Sequence, residues 1–260
     1  MKIAITGKGG VGKTSLAGLL ARLYAAEGRT VLAVDADPDA NLASALGIPP
    51  DEARKALPLA EQAELIEERT GVKPGAPGGM FRINPKVDDI PESYSVQHAG
   101  VRLLVMGRSK DAASGCYCPE HVLLRRLISH LILQRDEVVI LDMEAGIEHL
   151  TRGTAEGVDA FIVVVEPGQR SLQTARHVEN LAKGLGVREV FVVGNKVRRD
   201  TDKEFIQRRL EGMKLIGFIS FMDDIAEADL SGRSPYEVSP RAREEAFKIK
   251  SELERLMPDS

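Results

Sequence analysis

Short apolar segments alternate with longer amphipathic segments along most of this 260-residue chain. The apolar segments are rich in Val and Ile and lack strict alternation, which predicts strands that are covered on both faces. They are Met1–Thr6, Thr30–Ala36, Val101–Met106, Glu137–Met143, Ala160–Glu166, Glu189–Asn195 and Lys214–Ser220. This order of elements predicts an α/β fold with a doubly wound, mostly parallel sheet flanked by helices.

The segments between most of these strands have helical spacing. We predict helices at Ser15–Glu27, Cys118–Gln134, His149–Gly157, Ser171–Leu185, Thr201–Leu210 and Asp223–Leu230. A last helix, Arg241–Met257, carries five basic and four acidic residues beside a modest apolar stripe, which indicates a helix docked on its own domain.

The region between the second and third of these strands has a less regular pattern. Asp51–Thr70 is interpreted as a charged helix, and Gly71–Gly79 as a mobile loop because it is rich in Pro and Gly. Phe81–Pro85 is interpreted as an additional strand. No clear domain boundary interrupts the chain, so we treat residues 1–260 as a single domain.

A glycine-rich segment follows the first predicted strand and opens the first helix. It satisfies the G-x-x-x-x-G-K-[ST] pattern of phosphate-binding loops, and the strand and helix around it are the required context. The predicted nucleotide-binding residues here are Gly7, Lys8, Gly9, Gly10, Val11, Gly12, Lys13, Thr14 and Ser15. Glycines allow the backbone N–H groups to surround an anion at the positive end of a helix. Lys13 is expected to contact the β- and γ-phosphates, and the Thr14 hydroxyl to bind Mg²⁺.

Polar residues stand at the carboxyl ends of three other strands, where ligands bind in sheets of this kind. With Thr14, we expect Asp35, Asp37 and Asp142 to form the Mg²⁺ site, directly or through water. Asp142 would act through a water, Asp35 would lie near the magnesium shell, and Asp37 would also orient the attacking water. The alternative for Asp35 and Asp37 is a purely turn-forming role. Asn195 is a candidate for contacting the edge of the base, and the Lys196 stem for covering its face.

Composition narrows the function classes. The chain has 35 basic and 39 acidic residues, a net charge of −4, which does not favour nucleic-acid binding. No apolar run approaches the roughly 18 residues of a membrane span, and we expect no signal peptide before the first strand. The sequence therefore predicts a cytoplasmic protein that has neither nucleic acid nor membrane as a partner.

Several of these motifs resemble those of known families. The loop with its second lysine, Lys8, resembles the deviant Walker A class, which includes the MinD and ParA ATPases and nitrogenase iron protein. The resemblance narrows to the CooC-type ATPases, and it runs from Met1 to about Gly217. It rests on Asp35–Asn41, Asn84–Val87, Gly115–Cys118 and Asp142–Thr154. One departure is Ile219–Phe221, where the family leads us to expect a proline in the base-binding loop.

The resemblance implies an ATPase that uses Mg-ATP and helps insert nickel into carbon monoxide dehydrogenase, or into its relative acetyl-CoA synthase. It implies a homodimer that sandwiches two nucleotides, in which each Lys8 reaches the partner's phosphates. Lys8, Lys13 and Asp37 would then be the catalytic residues. The alternatives for Lys8 are a solvated side chain or a contact with phosphates of its own subunit.

The two cysteines, Cys116 and Cys118, lie just before a predicted helix. One chain offers too few thiolates for a closed tetrahedral site, whereas two chains related by a twofold axis would offer four. Thiolates suit Zn²⁺ and also Ni²⁺, and the family resemblance favours such a site at the dimer interface. His121 is a reserve ligand. The alternative is a pair of packed free thiols.

Two other functions remain open at this point. A positioning ATPase that cycles on a membrane or nucleoid would need a basic amphipathic tail or patch. An electron-transfer ATPase could hold an iron–sulfur cluster between two subunits. In the related reductases, however, the two cysteines come from well-separated segments, whereas here both lie in one loop.

Overall fold

A sheet whose strands are almost all parallel runs through the chain. The computed structural model describes residues 1–37, 41–74, 80–107, 118–144, 150 and 152–258. Within these residues the sheet has eight strands in the order β3-β4-β2-β5-β1-β6-β7-β8, and β3 alone is antiparallel to its neighbour. The strands are β1 Lys2–Thr6, β2 Val31–Asp35, β3 Val96–His98, β4 Val101–Val105, β5 Val138–Asp142, β6 Ala160–Val165, β7 Val190–Val197 and β8 Lys214–Ser220. The predicted doubly wound fold is confirmed.

The position of β1 decides where a ligand can bind. β1 lies between β5 and β6; β2 to β5 lie on one side of it, and β6, β7 and β8 are added on the other side. Such a reversal opens a crevice beyond the carboxyl ends of the strands. The segments that follow β1, β2, β5, β6 and β7 therefore meet at one edge of the sheet.

Helices cover both faces of the sheet. They are α1 Lys13–Ala26, α2 Leu42–Leu46, α3 Pro50–Ala53, α4 Ala63–Thr70, α5 Ile90–Tyr94, α6 Pro119–Leu133, α7 Arg152–Ala155, α8 Gln169–Gly184, α9 Asp200–Arg209, α10 Asp223–Ser231, α11 Pro235–Val238 and α12 Pro240–Leu256. A short 3₁₀ turn, Leu59–Glu61, precedes α4.

Successive side chains of the central strand enter different core clusters, because strand residues alternate between faces. Ile3 and Ile5 pack with α1 and α12, whereas Ala4 packs with α6. The last helix buries Ala242, Ala246, Ile249 and Leu253 against this core. The prediction that the C-terminal helix docks on its own domain is therefore confirmed.

Two predictions between β2 and β4 were wrong. The predicted helix Asp51–Thr70 is broken into α3, the 3₁₀ turn and α4, because Pro58 lacks an N–H group and disfavours helical geometry in the residue before it. Phe81–Pro85 forms no strand. Most of its side chains are exposed, so no sheet face is available to bury them; the extra strand is β3 instead. Part of the predicted mobile loop, residues 75–79, lies outside the described residues.

Candidate functional site

The phosphate loop joins β1 to α1 and passes very close to neighbouring elements. Gly7 has φ of 148°, and a Cβ atom there would lie 2.4 Å from the carbonyl oxygen of Val164 in β6. Gly12 has φ of 93°, and its Cβ would lie 2.1 Å from the Asn195 amide nitrogen. Gly12 is also the residue before α1, and because it has no side chain it cannot cap the helix with a side-chain hydrogen bond. The first N–H groups of α1 are thus available to an anion.

Lys13 and Thr14, at the start of α1, each contact a carboxylate at the end of a strand. Lys13 is only 6% exposed, and its Nζ lies 3.4 Å from an oxygen of Asp37. The Thr14 hydroxyl donates a hydrogen bond of 2.6 Å to Oδ2 of Asp142. The structure therefore brings together four predicted site residues that are far apart in the sequence.

Asp142 is the most buried charged group of this site, with no solvent exposure. Its second oxygen, Oδ1, has no hydrogen-bond partner among the described residues. Loss of hydration raises the pKa of Asp142 to about 7, and the nearby negative charge of Asp35 contributes to the shift. A cation bound beside this buried, unpaired oxygen would stabilise the ionised form of Asp142.

Asp35 organises the backbone that follows β2. Its carboxylate accepts hydrogen bonds from the N–H groups of Asp37, at 3.3 Å, and Leu42, at 2.9 Å. Burial raises the pKa of Asp35 to about 6. Asp35 therefore has main-chain partners that hold the segment carrying Asp37. Its place near a magnesium shell stays a prediction.

A cavity of about 710 Å³ opens at this edge of the sheet, within the usual size range of small-molecule sites. Its polar end is formed by the phosphate loop, by the start of α1 and by Asp37. Its other end is mostly apolar. The residues at that end are Ile219, Phe221, Met222, Ile225, Ala226 and Pro235. A cavity with one polar and one apolar part suits a ligand that has an anionic tail and a flat apolar ring.

Asn195 and Lys196 line this cavity, but they also support the phosphate loop. The Asn195 amide donates to the carbonyl oxygen of Val11 at 2.7 Å and accepts from the Lys196 N–H at 2.8 Å. Lys196 Nζ donates to the carbonyl oxygen of Gly10 at 2.5 Å. Contacts between these two residues and a base stay a prediction, whereas their contacts with the loop are observed.

Lys8 differs from Lys13 in its surroundings. The lining residues of the described chain include Gly9, Gly10 and Lys13 but not Lys8. The Lys8 side chain is 41% exposed, and its Nζ lies 3.8 Å from an oxygen of Glu166. The two lysines of the loop therefore have different partners: Lys13 pairs with Asp37 and Lys8 with Glu166.

The cysteine pair is only half described. Cys118 precedes the first residue of α6 and is 9% exposed, whereas Cys116 lies outside the described residues. Within the described ranges, no group of three or more His, Cys, Asp or Glu side chains is placed to hold a metal. The shared metal site therefore stays a prediction.

The sequence interpretation missed some residues of the site. Ser220, at the end of β8, donates to both oxygens of Glu245 and accepts from Arg241, so α12 anchors the apolar end of the cavity. Glu166 directly follows β6 at the same edge. The sequence did contain a signal for Glu166, because a charged residue there directly follows a buried strand. No sequence pattern marked Glu245.

Comparison with known proteins agrees with this geometry. The model of the CobQ/CobB/MinD/ParA nucleotide-binding domain matches residues 2–236. Carbon monoxide dehydrogenase accessory protein CooC of Rhodospirillum rubrum is 49% identical over 99% of this chain and 98% of its own. An uncharacterised ATP-binding protein of Methanocaldococcus jannaschii is 45% identical over 96% of each chain.

Solved structures support the fold alone, because their sequence identity is low. The MinD cell division protein of Aquifex aeolicus has a TM-score of 0.67 at 20% identity, over 100% of this chain and 98% of its own. A ParA family ATPase of Chlorobium tepidum has a TM-score of 0.70 at 20% identity, over 97% and 98%. Among the described residues, no helix has the length and apolar character needed to cross a membrane. The chain belongs to the CobQ/CobB/MinD/ParA family of nucleotide-binding domains and, within it, to the CooC-type ATPases.

Proposed function

We propose that this protein is an ATP-hydrolysing maturation factor that helps insert nickel into carbon monoxide dehydrogenase or a related nickel enzyme such as acetyl-CoA synthase. It works as a nucleotide-dependent homodimer whose subunits share a metal site built from Cys116 and Cys118. Similarity to CooC along nearly the whole chain supports the client. The observation that carries the dimer mechanism is the different environment of the two lysines: Lys13 is buried and lines the cavity, whereas Lys8 is partly exposed and does not line it.

The buried end of the cavity suits phosphoryl transfer, which depends on positioning and charge neutralisation. Lys13 and the free N–H groups of α1 bind the phosphate tail. Asp37 lines the cavity beside Lys13 and orients the attacking water. Asp35 keeps Asp37 in place through the main chain. The apolar end takes the adenine ring.

The donor set fits Mg²⁺. The Thr14 hydroxyl and the Asp142 carboxylate are adjacent hard oxygen ligands, and Oδ1 of Asp142 is buried without a partner among the described residues. When bound together with the nucleotide, Mg²⁺ would neutralise part of the negative charge of the phosphates. Asp142 must be ionised to hold it, directly or through water, although burial opposes ionisation.

The Asp142→Asn variant should separate stability from activity. Because the folded pKa of about 7 exceeds the unfolded value of about 4, the contribution of Asp142 to stability is lost as the pH rises through that window. Asparagine removes the buried charge and can still accept from Thr14. At pH 8, without nucleotide, we expect the free energy of unfolding to rise by about 1–3 kcal/mol in urea titrations. ATP hydrolysis should fall by at least about 100-fold.

The gain in stability should shrink at pH 5, where Asp142 is already protonated. Asp200→Asn, at an exposed carboxyl of α9, is the control and should change neither quantity. A less stable Asp142→Asn protein at pH 8, or one with parental hydrolysis, would contradict this role.

Lys8 has the position of a residue that acts on another subunit. It is exposed, lies on the rim of the phosphate loop and does not line its own cavity. A second copy related by a twofold axis would bring its phosphates toward this side chain. The physics is that of an arginine finger, which supplies positive charge to the transition state and is worth roughly 10³–10⁵ in rate.

The Lys8→Ala variant should keep nucleotide binding, because Lys13 and the loop backbone are unchanged. It should lose ATP-dependent dimerisation and most hydrolysis, by about 10³-fold or more. Titration calorimetry measures the first property, and sedimentation velocity with a phosphate assay measures the others. Lys203→Ala, at a surface lysine paired with Asp200, is the matched control. Wild-type hydrolysis by Lys8→Ala would refute the action of Lys8 across the dimer.

The thiolates of Cys116 and Cys118 from two subunits would form the cargo site for nickel or zinc. Closing the dimer around ATP would change the spacing of these thiolates, and nucleotide state would thereby control metal affinity. Cys118 directly precedes α6.

The Cys116→Ser, Cys118→Ser double variant removes both thiols of the chain. We expect it to lose high-affinity binding of Ni²⁺ or Zn²⁺ in anaerobic titrations and to keep nucleotide binding. In the parent, metal affinity should fall in acid because protons compete for the thiolates. A double variant that binds either metal as well as the parent does would remove the cysteine site from this account.

A positioning ATPase is less well supported. The candidate for its basic amphipathic segment in this sequence is α12, but the apolar side of α12 is buried against β8 and α1. No observation favours the iron–sulfur alternative over the nickel site.

A further inference from the structure

One carboxylate, Glu166, lies between Lys8 and Lys196 beside the phosphate loop. Lys8 Nζ is 3.8 Å from Oε1, and Lys196 Nζ is 3.9 Å from Oε2. Each oxygen of Glu166 therefore has its own cationic neighbour. None of the three side chains is fully exposed, and Glu166 is 31% exposed.

The backbone fixes where Glu166 stands. It follows β6, which pairs with β1 in register from Ile3–Ala160 to Thr6–Val163, so the residues after both strands remain neighbours. Gly7 lies so close to Val164 that a side chain at Gly7 would clash with the Val164 carbonyl oxygen, so the segments after β1 and β6 are closely packed. The Glu166 N–H also donates to the buried Ser171 hydroxyl at the start of α8. Glu166 is thus presented to Lys8 by a rigid part of the fold.

Lys196 orients the carboxylate. Its Nζ donates to the carbonyl oxygen of Gly10 at 2.5 Å, so this ammonium is tied to the loop itself. With one oxygen of Glu166 drawn toward Lys196, the other faces Lys8. Among the described residues, no main-chain hydrogen bond holds the Lys8 ammonium, so Lys8 is the member of the group able to move.

We propose that Glu166 retains Lys8 on its own protomer and so opposes ATP-dependent pairing of two copies. The inference rests on the proposed function, in which Lys8 reaches the partner's phosphates. To do so, its ammonium must leave Glu166. Glu166 is then a positioning residue that sets how much nucleotide and protein are needed before the dimer closes.

The size of the effect follows from the type of contact. Partly exposed ion pairs shift an equilibrium by about two- to fivefold. A twofold dimer releases two such contacts, so the dimer dissociation constant should change by about four- to 25-fold. This is enough to tune assembly without preventing it.

The test is the dimer dissociation constant of the full chain with a non-hydrolysable Mg-ATP analogue, measured by sedimentation velocity. Glu166→Gln, which keeps the shape and removes the charge, should dimerise at about four- to 25-fold lower protein concentration than the parent. Glu166→Asp keeps the charge and should stay nearer to the parent. Glu166→Ala serves as a second charge-removing variant if Gln disturbs folding.

Two controls show whether the effect passes through Lys8. Glu189→Gln breaks a surface pair with Lys214 that is remote from the loop in sequence, and it should leave dimerisation unchanged. In a Lys8→Ala background, Glu166→Gln should not restore dimerisation, because the side chain that Glu166 retains is gone. Dimerisation regained in that double variant would show that Glu166 opposes pairing without Lys8, and it would overturn the inference.

The outcomes separate this inference from the proposed function. Unchanged or weaker dimerisation of Glu166→Gln, together with loss of dimerisation in Lys8→Ala, would overturn the role of Glu166 and leave the dimer mechanism standing. Parental dimerisation by Lys8→Ala would instead overturn the action of Lys8 across the dimer, and the role of Glu166 would fall with it.

Discussion

Charges that are held out of water beneath the phosphate loop are the constraint on which the rest of the site depends. Lys13, Asp35 and Asp142 are all buried, and burial opposes the ionised form of both carboxyls. Such an arrangement is costly for the empty protein and favourable once phosphate and a cation complete it. The fold supplies the rigidity for this arrangement, because each group stands at the end of a strand or the start of a helix.

The same loop carries two lysines in different environments, and in the proposed mechanism this separates nucleotide binding from dimer assembly. Lys13 is buried and lines the protomer's own cavity. Lys8 is partly exposed beside Glu166, where a second copy would meet it in the proposed dimer. Nucleotide binding would then occur in one protomer, while completion of the charge pattern would require two. An ATPase of this kind would work as a switch, since hydrolysis removes the ligand that closes the dimer.

The sequence predicted the parts of the molecule that have a strong local pattern. The order of apolar strands predicted the parallel sheet, and the glycine motif predicted the loop at the carboxyl end of β1. Residues that act through distant contacts were not predictable in this way. Glu245 supports the cavity only because α12 folds back onto β8, and Asn195 supports Val11 from a segment about 180 residues away. The helix expected at Asp51–Thr70 failed because one proline outweighed the propensity of its neighbours.

The central claim is that each active site borrows Lys8 from the other subunit, and mixing two inactive variants tests it directly. Lys8→Ala keeps a complete cavity but lacks Lys8, and Lys13→Ala keeps Lys8 without a working cavity. Equal mixing should restore ATP hydrolysis that neither variant has alone, to at most about one quarter of the parental rate, because at full random pairing half the dimers are mixed and each has one complete site. A mixture that stays as inactive as its separate components would contradict the account.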